Sequence, residues 1–224
     1  MDFIRLFIDS LPSLLLGLGN TVLLTTAAIL LGIGIGLIVA LLKVYGKGPL
    51  RVFSVAYSSL FRGTPLITQL FIVYFGLSSS GIVLSPFVAA ILAIGLNSAA
   101  FQAEYFRGSI LAIQPGQIVG ARALGMSQLK TIRCIVIPQV IRLVIPSWSN
   151  ELICLLKYSS LAYLIQFPEL LFQTKLISSK NFRVFEMFVM AGILYLTVVL
   201  IVSYFLRKLE SRLRIPGLGT ESTF

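Results

Sequence analysis

Side chains capable of chemistry are scarce in this chain, and their types exclude most reactions before any fold is considered. There is no histidine among the 224 residues, and no aspartate beyond Asp9. That removes histidine-ligated haem, most zinc sites and histidine-based triads together. Cys134 and Cys154 stand in apolar surroundings and read as small hydrophobes, with no disulfide framework. No glycine-rich loop leads into Lys and Ser or Thr, so the chain has no phosphate cradle of its own. What remains is charge and hydrogen bonding in an apolar setting. Glu151 and Lys157 lie six residues apart, roughly one and a half helical turns. They can satisfy each other or helix ends, or offer opposite charges to a solute. Tyr158, Ser159 and Ser160 follow directly, and Gln69 stands in a second apolar region.

Membrane helices must position these groups. Hydrophobic residues make up 57% and charged residues 12% of the sequence, with a mean hydropathy of +0.97. A soluble domain carries about 25% charged residues. Apolar runs of about 20 residues cross about 30 Å of hydrocarbon as helices. The net charge of +10 would suggest nucleic acid in a soluble chain. Here the cations sit between apolar runs, as in cytoplasmic loops, so lipid is the expected surrounding and nucleic acid is not a partner. The expected fold is an all-α integral membrane protein, one domain over residues 1–224, with five transmembrane helices, N-terminus out and C-terminus in.

The spans can be placed one by one. The apolar run Leu11 to Leu42 is too long for a signal peptide and reads as a permanent first span, with its helix from about Asn20 to Val44. Lys43, Lys47 and Arg51 follow it while Asp2, Arg5 and Asp9 precede it, which sets the orientation. The region Val52 to Leu77 breaks at Arg62-Gly63-Thr64-Pro65, where Thr64 can cap a new helix. A broken helix at membrane depth must be buried or line a cavity. An uncharged outer loop, Ser78 to Ser85, leads to a third helix from Pro86 to Arg107. Its Asn97, Gln102 and Glu104 should face the interior or the cytoplasmic exit. Gln114-Pro115-Gly116 ends helical structure. Gln117 to Leu124 makes two turns, Gly125 takes a left-handed position, and Ser127 caps a short helix to Cys134. Pro138 and Pro146 flank the start of a fourth span that runs to Leu156 and carries Trp148, expected as an interfacial anchor. Lys157 to Arg183 reads as an external loop. The fifth span, Phe185 to Leu206, is anchored inside by Arg207, Lys208, Arg212 and Arg214.

The stretch Gly116 to Ser127 is a short polar interruption rich in Ala and Gly. It reads as a docking handle through which a membrane channel couples to a separate cytoplasmic motor. Its spacing resembles the EAA loop of ABC importer permeases: E-A-A, three residues, G, nine residues, I, one residue, L-P. Ala121, Gly125, Ile135 and Pro138 fall at these places, with Ile137 in the Leu position, while Val119 and Gly120 replace the Glu and first Ala. Further blocks resemble the polar amino-acid branch of the family. They are Arg62-Gly63-Thr64-Pro65-Leu66 with Gln69-Leu70-Phe71, Pro115-Gly116-Gln117, Ala123-Leu124-Gly125-Met126-Ser127, Ile137-Pro138-Gln139, and Asn150-Glu151 with Leu155-Leu156-Lys157 and Ser159-Ser160-Leu161. Together the blocks span about residues 18–213, with the coupling loop at 114–138.

The resemblance implies the permease subunit of a type I ABC importer for polar amino acids, multi-pass in a prokaryotic cytoplasmic membrane, and not an enzyme. It implies an ATP-binding cassette subunit that holds and hydrolyses ATP, so this chain needs no cofactor. It also implies a second copy or a sister permease, and an extracytoplasmic amino-acid-binding protein. Gln117, Ala121, Arg122, Ala123, Leu124, Gly125, Met126 and Ser127 would make the ATPase-coupling surface. Gln69, Glu151, Lys157, Tyr158 and Ser159 would line the solute pathway. Desolvating a zwitterion is costly; Lys157 can face its carboxylate and Glu151 its ammonium. Tyr158 stands where an acidic residue usually follows the Lys, which favours a neutral polar amino acid such as glutamine over arginine. An ion-driven secondary transporter is the alternative, but that class wants inverted repeats and two matching breaks. Only one break is visible.

Overall fold

The computed structural model describes residues 3–213, and among them every regular element is helical. Asp2 and Arg214, which enter the charge argument for orientation, lie outside the described residues. The helices are α1 (Phe3–Tyr45), α2 (Pro49–Gly63), α3 (Leu66–Ser79), α4 (Pro86–Leu111), α5 (Pro115–Ala123), α6 (Gln128–Thr131), α7 (Ile137–Tyr158), α8 (Leu170–Asn181) and α9 (Val184–Leu213).

The fold is organised on a seam between α1 and α4. Small residues make it: Ala28, Gly32 and Gly36 on α1 meet Gly95, Ala99 and Ala103 on α4. A Cβ on Gly36 would lie 3.0 Å from the Ala99 carbonyl oxygen, and one on Gly32 would lie 2.2 Å from Gln102 Nε2. Lipid gives helices no hydrophobic reason to associate, so close backbone approach and dispersion must hold them. The seam continues into a core of Leu24, Ile29, Leu70, Ile94 and Leu155, and into a second cluster of Phe106, Ile110, Ile113, Val136 and Val140. A third cluster, Leu14, Leu170, Met187 and Met190, ties α1 to α8 and α9.

Several boundaries differ from the sequence expectation. α1 begins at Phe3 rather than near Asn20 and carries Pro12 inside it. Helical structure does break ahead of Pro115, slightly earlier than expected: α4 ends at Leu111 and Gln114 is non-helical, while Pro115 already occupies the first turn of α5, where the missing N–H costs nothing. The chain is helical without interruption from 128 to 158. A wide turn at Ile132–Val136, where the Ile137 amide reaches back to the Ile132 carbonyl, precedes Pro138 and absorbs its lost hydrogen bond. The segment expected as an external loop contains a 3₁₀ stretch (Ser159–Ile165) and all of α8. Trp148 is not an interfacial anchor: it packs against the core, and its indole N–H is hydrogen-bonded inside.

The break between α2 and α3 is present, with a bend of 105°. Thr64 is the extended residue before a proline rather than a cap of the new helix, because Pro65 disfavours the helical region for its predecessor. By length and apolarity, α1, α4 and α9 qualify as membrane spans among the described residues, and the α2–α3 pair would make a fourth. α7 falls outside that set because Arg142, Asn150, Glu151 and Lys157 interrupt its apolar face.

Candidate functional site

A line of buried polar side chains runs from α7 across α4 and back. The Trp148 indole N–H donates to Gln102 Oε1 at 3.1 Å. Gln102 Nε2 donates to Ser98 Oγ at 3.0 Å, and Ser98 donates to Glu151 Oε1 at 2.7 Å. The Tyr105 hydroxyl donates to Glu151 Oε2 at 3.2 Å. Ser98 and Tyr105 thus donate to the two oxygens of one carboxylate, and Trp148 and Gln102 extend the line behind Ser98. Glu151 is 7% exposed, and no Lys or Arg forms an ion pair with it among the described residues. A buried carboxylate held only by hydroxyls is costly unless a cation arrives.

Gly32 makes the line possible. Its lack of a Cβ leaves the room that Gln102 occupies, and Gln102 is fully buried. Ser98, Gln102 and Tyr105 recur at helical spacing on one face of an apolar helix. That polar stripe was the signal available in the sequence, although only Gln102 was singled out from it.

Glu151 and Lys157 do not pair. Lys157 and Tyr158 are exposed at the end of α7, whereas Ser159 is buried, with its hydroxyl donating to the Leu156 carbonyl at 2.7 Å. Gln69 sits at the α2–α3 break. Its Nε2 donates to the Phe61 carbonyl at 2.8 Å and to Thr64 Oγ1 at 2.7 Å, and its Oε1 accepts from Asn97 Nδ2 at 3.1 Å. Asn97 also donates to the Phe61 carbonyl at 2.9 Å. The Nε2 end thus satisfies backbone carbonyls freed by the bend, and the Oε1 end is held by the Asn97 side chain. Glu104 lies lower on α4. It pairs with Lys43 and, at 2.8 Å, with Arg107; Arg62 stands 3.9 Å away.

The segment expected as the docking handle has both of its helix ends closed by hydrogen bonds. α5 ends in a Schellman turn: the Met126 amide donates to the Ala121 carbonyl at 3.1 Å and the Gly125 amide to Arg122 at 3.0 Å. Gly125 sits at φ +79°, the left-handed position expected of it. Ser127 Oγ accepts from the Lys130 amide at 3.3 Å, so it caps α6 as expected. Ala121 is buried, and Ile118 packs on the cluster of Phe106 and Val136. Gln139 Nε2 donates to Gln117 Oε1 at 2.6 Å, which clamps α5 to α7. Facing outward are Val119, Leu124 and Leu129, 66%, 86% and 76% exposed, together with Arg122, Ala123 and Ser127. Gly120 has open space where a Cβ would stand, so its departure from Ala leaves the turn undisturbed.

Glu169 is a buried group that the sequence reading passed over. It caps α8, with Oε1 accepting from the Phe172 amide at 2.6 Å and Oε2 from Leu171 at 2.8 Å. The Tyr195 hydroxyl adds a third donor at 2.8 Å. Burial in this connection pushes its carboxyl up to about 7. An acidic residue just before an apolar run, after Pro168, was the available capping signal.

Residues 32–215 match the family described as the binding-protein-dependent transport system inner membrane component. The chain belongs to this family. The permease is 36% identical over 93% of its length to the probable amino-acid ABC transporter permease protein YckA of Bacillus subtilis (strain 168), and covers 92% of that protein. It is 32% identical to the glutamine transport system permease protein GlnP of Escherichia coli (strain K12), over 92% of this chain and 95% of the relative. A solved amino acid ABC transporter with histidines superposes with a TM-score of 0.87 at 35% identity, covering 95% of this chain and 99% of that one. The inward-facing MetNI methionine ABC transporter shares the fold at a TM-score of 0.77 and 21% identity, over 91% and 97% of the two chains. The permease is thus an amino-acid ABC transporter membrane subunit, and its relatives are transport proteins rather than enzymes.

Proposed function

We propose that this permease forms the solute pathway of an ATP-driven importer of polar amino acids in a prokaryotic cytoplasmic membrane. The observation that carries this reading is Glu151: a buried carboxylate, bonded to Ser98 and Tyr105, without an ion-pair partner among the described residues. The ammonium of the solute is the charge it lacks, and Lys157, exposed at the end of the same helix, is placed to meet the carboxylate. Five spans cross the membrane, counting α1, the bent α2–α3 pair, α4, α7 and α9, with the N-terminus outside. Pairing with a second copy or a sister permease buries α7's polar face, which is too polar to face lipid. A separate ATP-binding cassette subunit holds ATP and docks on the handle, its contact centred on Val119, Leu124 and Leu129. An extracytoplasmic binding protein delivers the amino acid. Tyr158 in place of an acidic residue supports a neutral polar solute such as glutamine. The relatives' names divide among glutamine, arginine, nopaline and octopine, so identity alone does not choose.

The test is reconstitution with the ATPase subunit and binding protein in proteoliposomes supplied with a panel of amino acids. ATP-dependent uptake of a neutral polar amino acid is the expected result. Uptake that persists without ATP on an ion gradient would overturn the mechanism, and strict preference for arginine or lysine would overturn the choice of solute.

A further inference from the structure

One cluster of charge is left over from the pathway. A cavity of about 470 Å³ opens between the ends of α1, α2 and α4, lined by Lys43, Arg51, Arg62 and Arg107 against a single carboxylate, Glu104. Four cations face one anion there, a surplus of three positive charges. Glu104 is taken by Lys43 and Arg107, and Arg62 stands 3.9 Å from it and stacks over the Phe101 ring. Arg51 forms no ion pair among the described residues. Ser58 also lines the cavity; it is 3% exposed, and its hydroxyl has no hydrogen-bond partner among the described residues. A buried hydroxyl left unpaired next to surplus guanidinium groups marks a site short of an anionic acceptor.

We infer that this cavity holds the phosphate headgroup of an anionic phospholipid of the inner leaflet. Guanidinium forks match phosphate oxygens two at a time, and Ser58 can donate to another. The rim identifies a lipid rather than a free anion. Val55 and Leu111 line the mouth and are 48% and 60% exposed, and Val52 and Phe53 continue an exposed apolar face along α2. Acyl chains can lie on that face while the phosphate enters. Basic pockets between membrane helices on the cytoplasmic side bind anionic headgroups in this way. The inference rests on the topology proposed above, which turns this end of α1 and α4 toward the cytoplasm.

Native mass spectrometry of the complex with its ATPase subunit, in neutral detergent, tests it. Phosphatidylglycerol, phosphatidylcholine and inorganic phosphate are titrated in turn. Phosphatidylglycerol should be retained at concentrations where phosphatidylcholine is not. Arg51→Gln and Arg62→Gln should each weaken it about fivefold, while Lys47→Gln, an exposed cation outside the lining, should leave it unchanged. Where an arginine variant melts early without lipid, Ser58→Ala replaces it and should also lower retention. Equal retention of the two lipids, equal losses at Arg51 and Lys47, or phosphate displacing phosphatidylglycerol at equal concentration would each overturn the lipid site. The assay contains no amino acid, so a failure here leaves uptake measured on the same preparation untouched. A failure of uptake likewise leaves headgroup selectivity readable.

Discussion

At the scale of single residues, the burial of Glu151 is decisive. Its carboxylate accepts from two hydroxyls and forms no ion pair among the described residues, and the proposed pathway role requires its charge. Glu151→Gln removes the charge with little change of shape; its Oε1 still accepts from Ser98, while the Tyr105 hydroxyl must turn to accept from the new Nε2. We expect assembly to survive and the apparent affinity for transported amino acid to fall about 30-fold or more, the lower range for losing one partner of a desolvated charge pair. Uptake kinetics in proteoliposomes check this; unchanged kinetics would remove Glu151 from the pathway. Lys157→Glu, at an exposed position, should abolish uptake without loss of assembly. A second pair of substitutions separates two glycines of α1. Gly32→Ala forces Gln102 from its place, because the new Cβ would lie 2.2 Å from Nε2, and should cost about 1–3 kcal/mol. Gly34→Ala meets open space and should be neutral or slightly stabilising. Thermal midpoints of the purified complex distinguish them.

At the scale of elements, helix ends carry the special chemistry. The handle's Schellman turn needs φ +79° at Gly125, and a β-branched residue is strained there. Gly125→Val should leave the subunit in the membrane while ATP hydrolysis continues without uptake, read as ATPase and transport rates on one preparation. Normal coupling in that variant would end the docking assignment. The cap of α8 gives a pH dependence. Burial raises the Glu169 carboxyl from its ordinary 4.5 to about 7. Between those values the folded chain keeps a proton that the unfolded chain releases. Stability is therefore highest below about pH 4.5, declines as pH rises toward about 7 and is flat above, by about 3 kcal/mol at most. Glu169→Gln should flatten that slope in a melting series from pH 4.5 to 8. A slope of equal size in the variant would assign it to another group.

At the scale of the whole molecule, topology is the property to test. With Cys134 and Cys154 replaced by serine, single cysteines at Ser80, Ser179 and Gln128 give exposed reporters on three connections. An impermeant thiol reagent should label the first two from outside and the third only after the inner face is opened. External labelling at Gln128 would invert the proposed arrangement. The α1–α4 seam and the third cluster under α8 hold the outer helices to one body, and the segment expected as the handle is fixed to it through Ala121 and Ile118.

Local patterns in the sequence determined the all-helical class, the break before Pro65, the left-handed Gly125 and the Ser127 cap. Each depends on a few neighbouring residues: apolar run length, the steric demand of proline on its predecessor, or the freedom of a residue without a Cβ. The family blocks were legible for a similar reason, as residue types at fixed spacing. Partners far apart in the chain were decided only by the tertiary structure. Gln69 was expected at the pathway, yet its amide is bound to Phe61, Thr64 and Asn97 because the bend frees backbone carbonyls that must be satisfied. Glu151 and Lys157 looked like a pair by spacing, yet the carboxylate turns inward to Ser98 and Tyr105, more than forty residues away. Trp148 joins that line instead of the interface, and Glu169 became visible as a cap only once α8 was seen to be a helix. Hydrogen bonds in a dry interior are settled by which faces the packing brings together, and in this permease the glycines of α1 decide that contact.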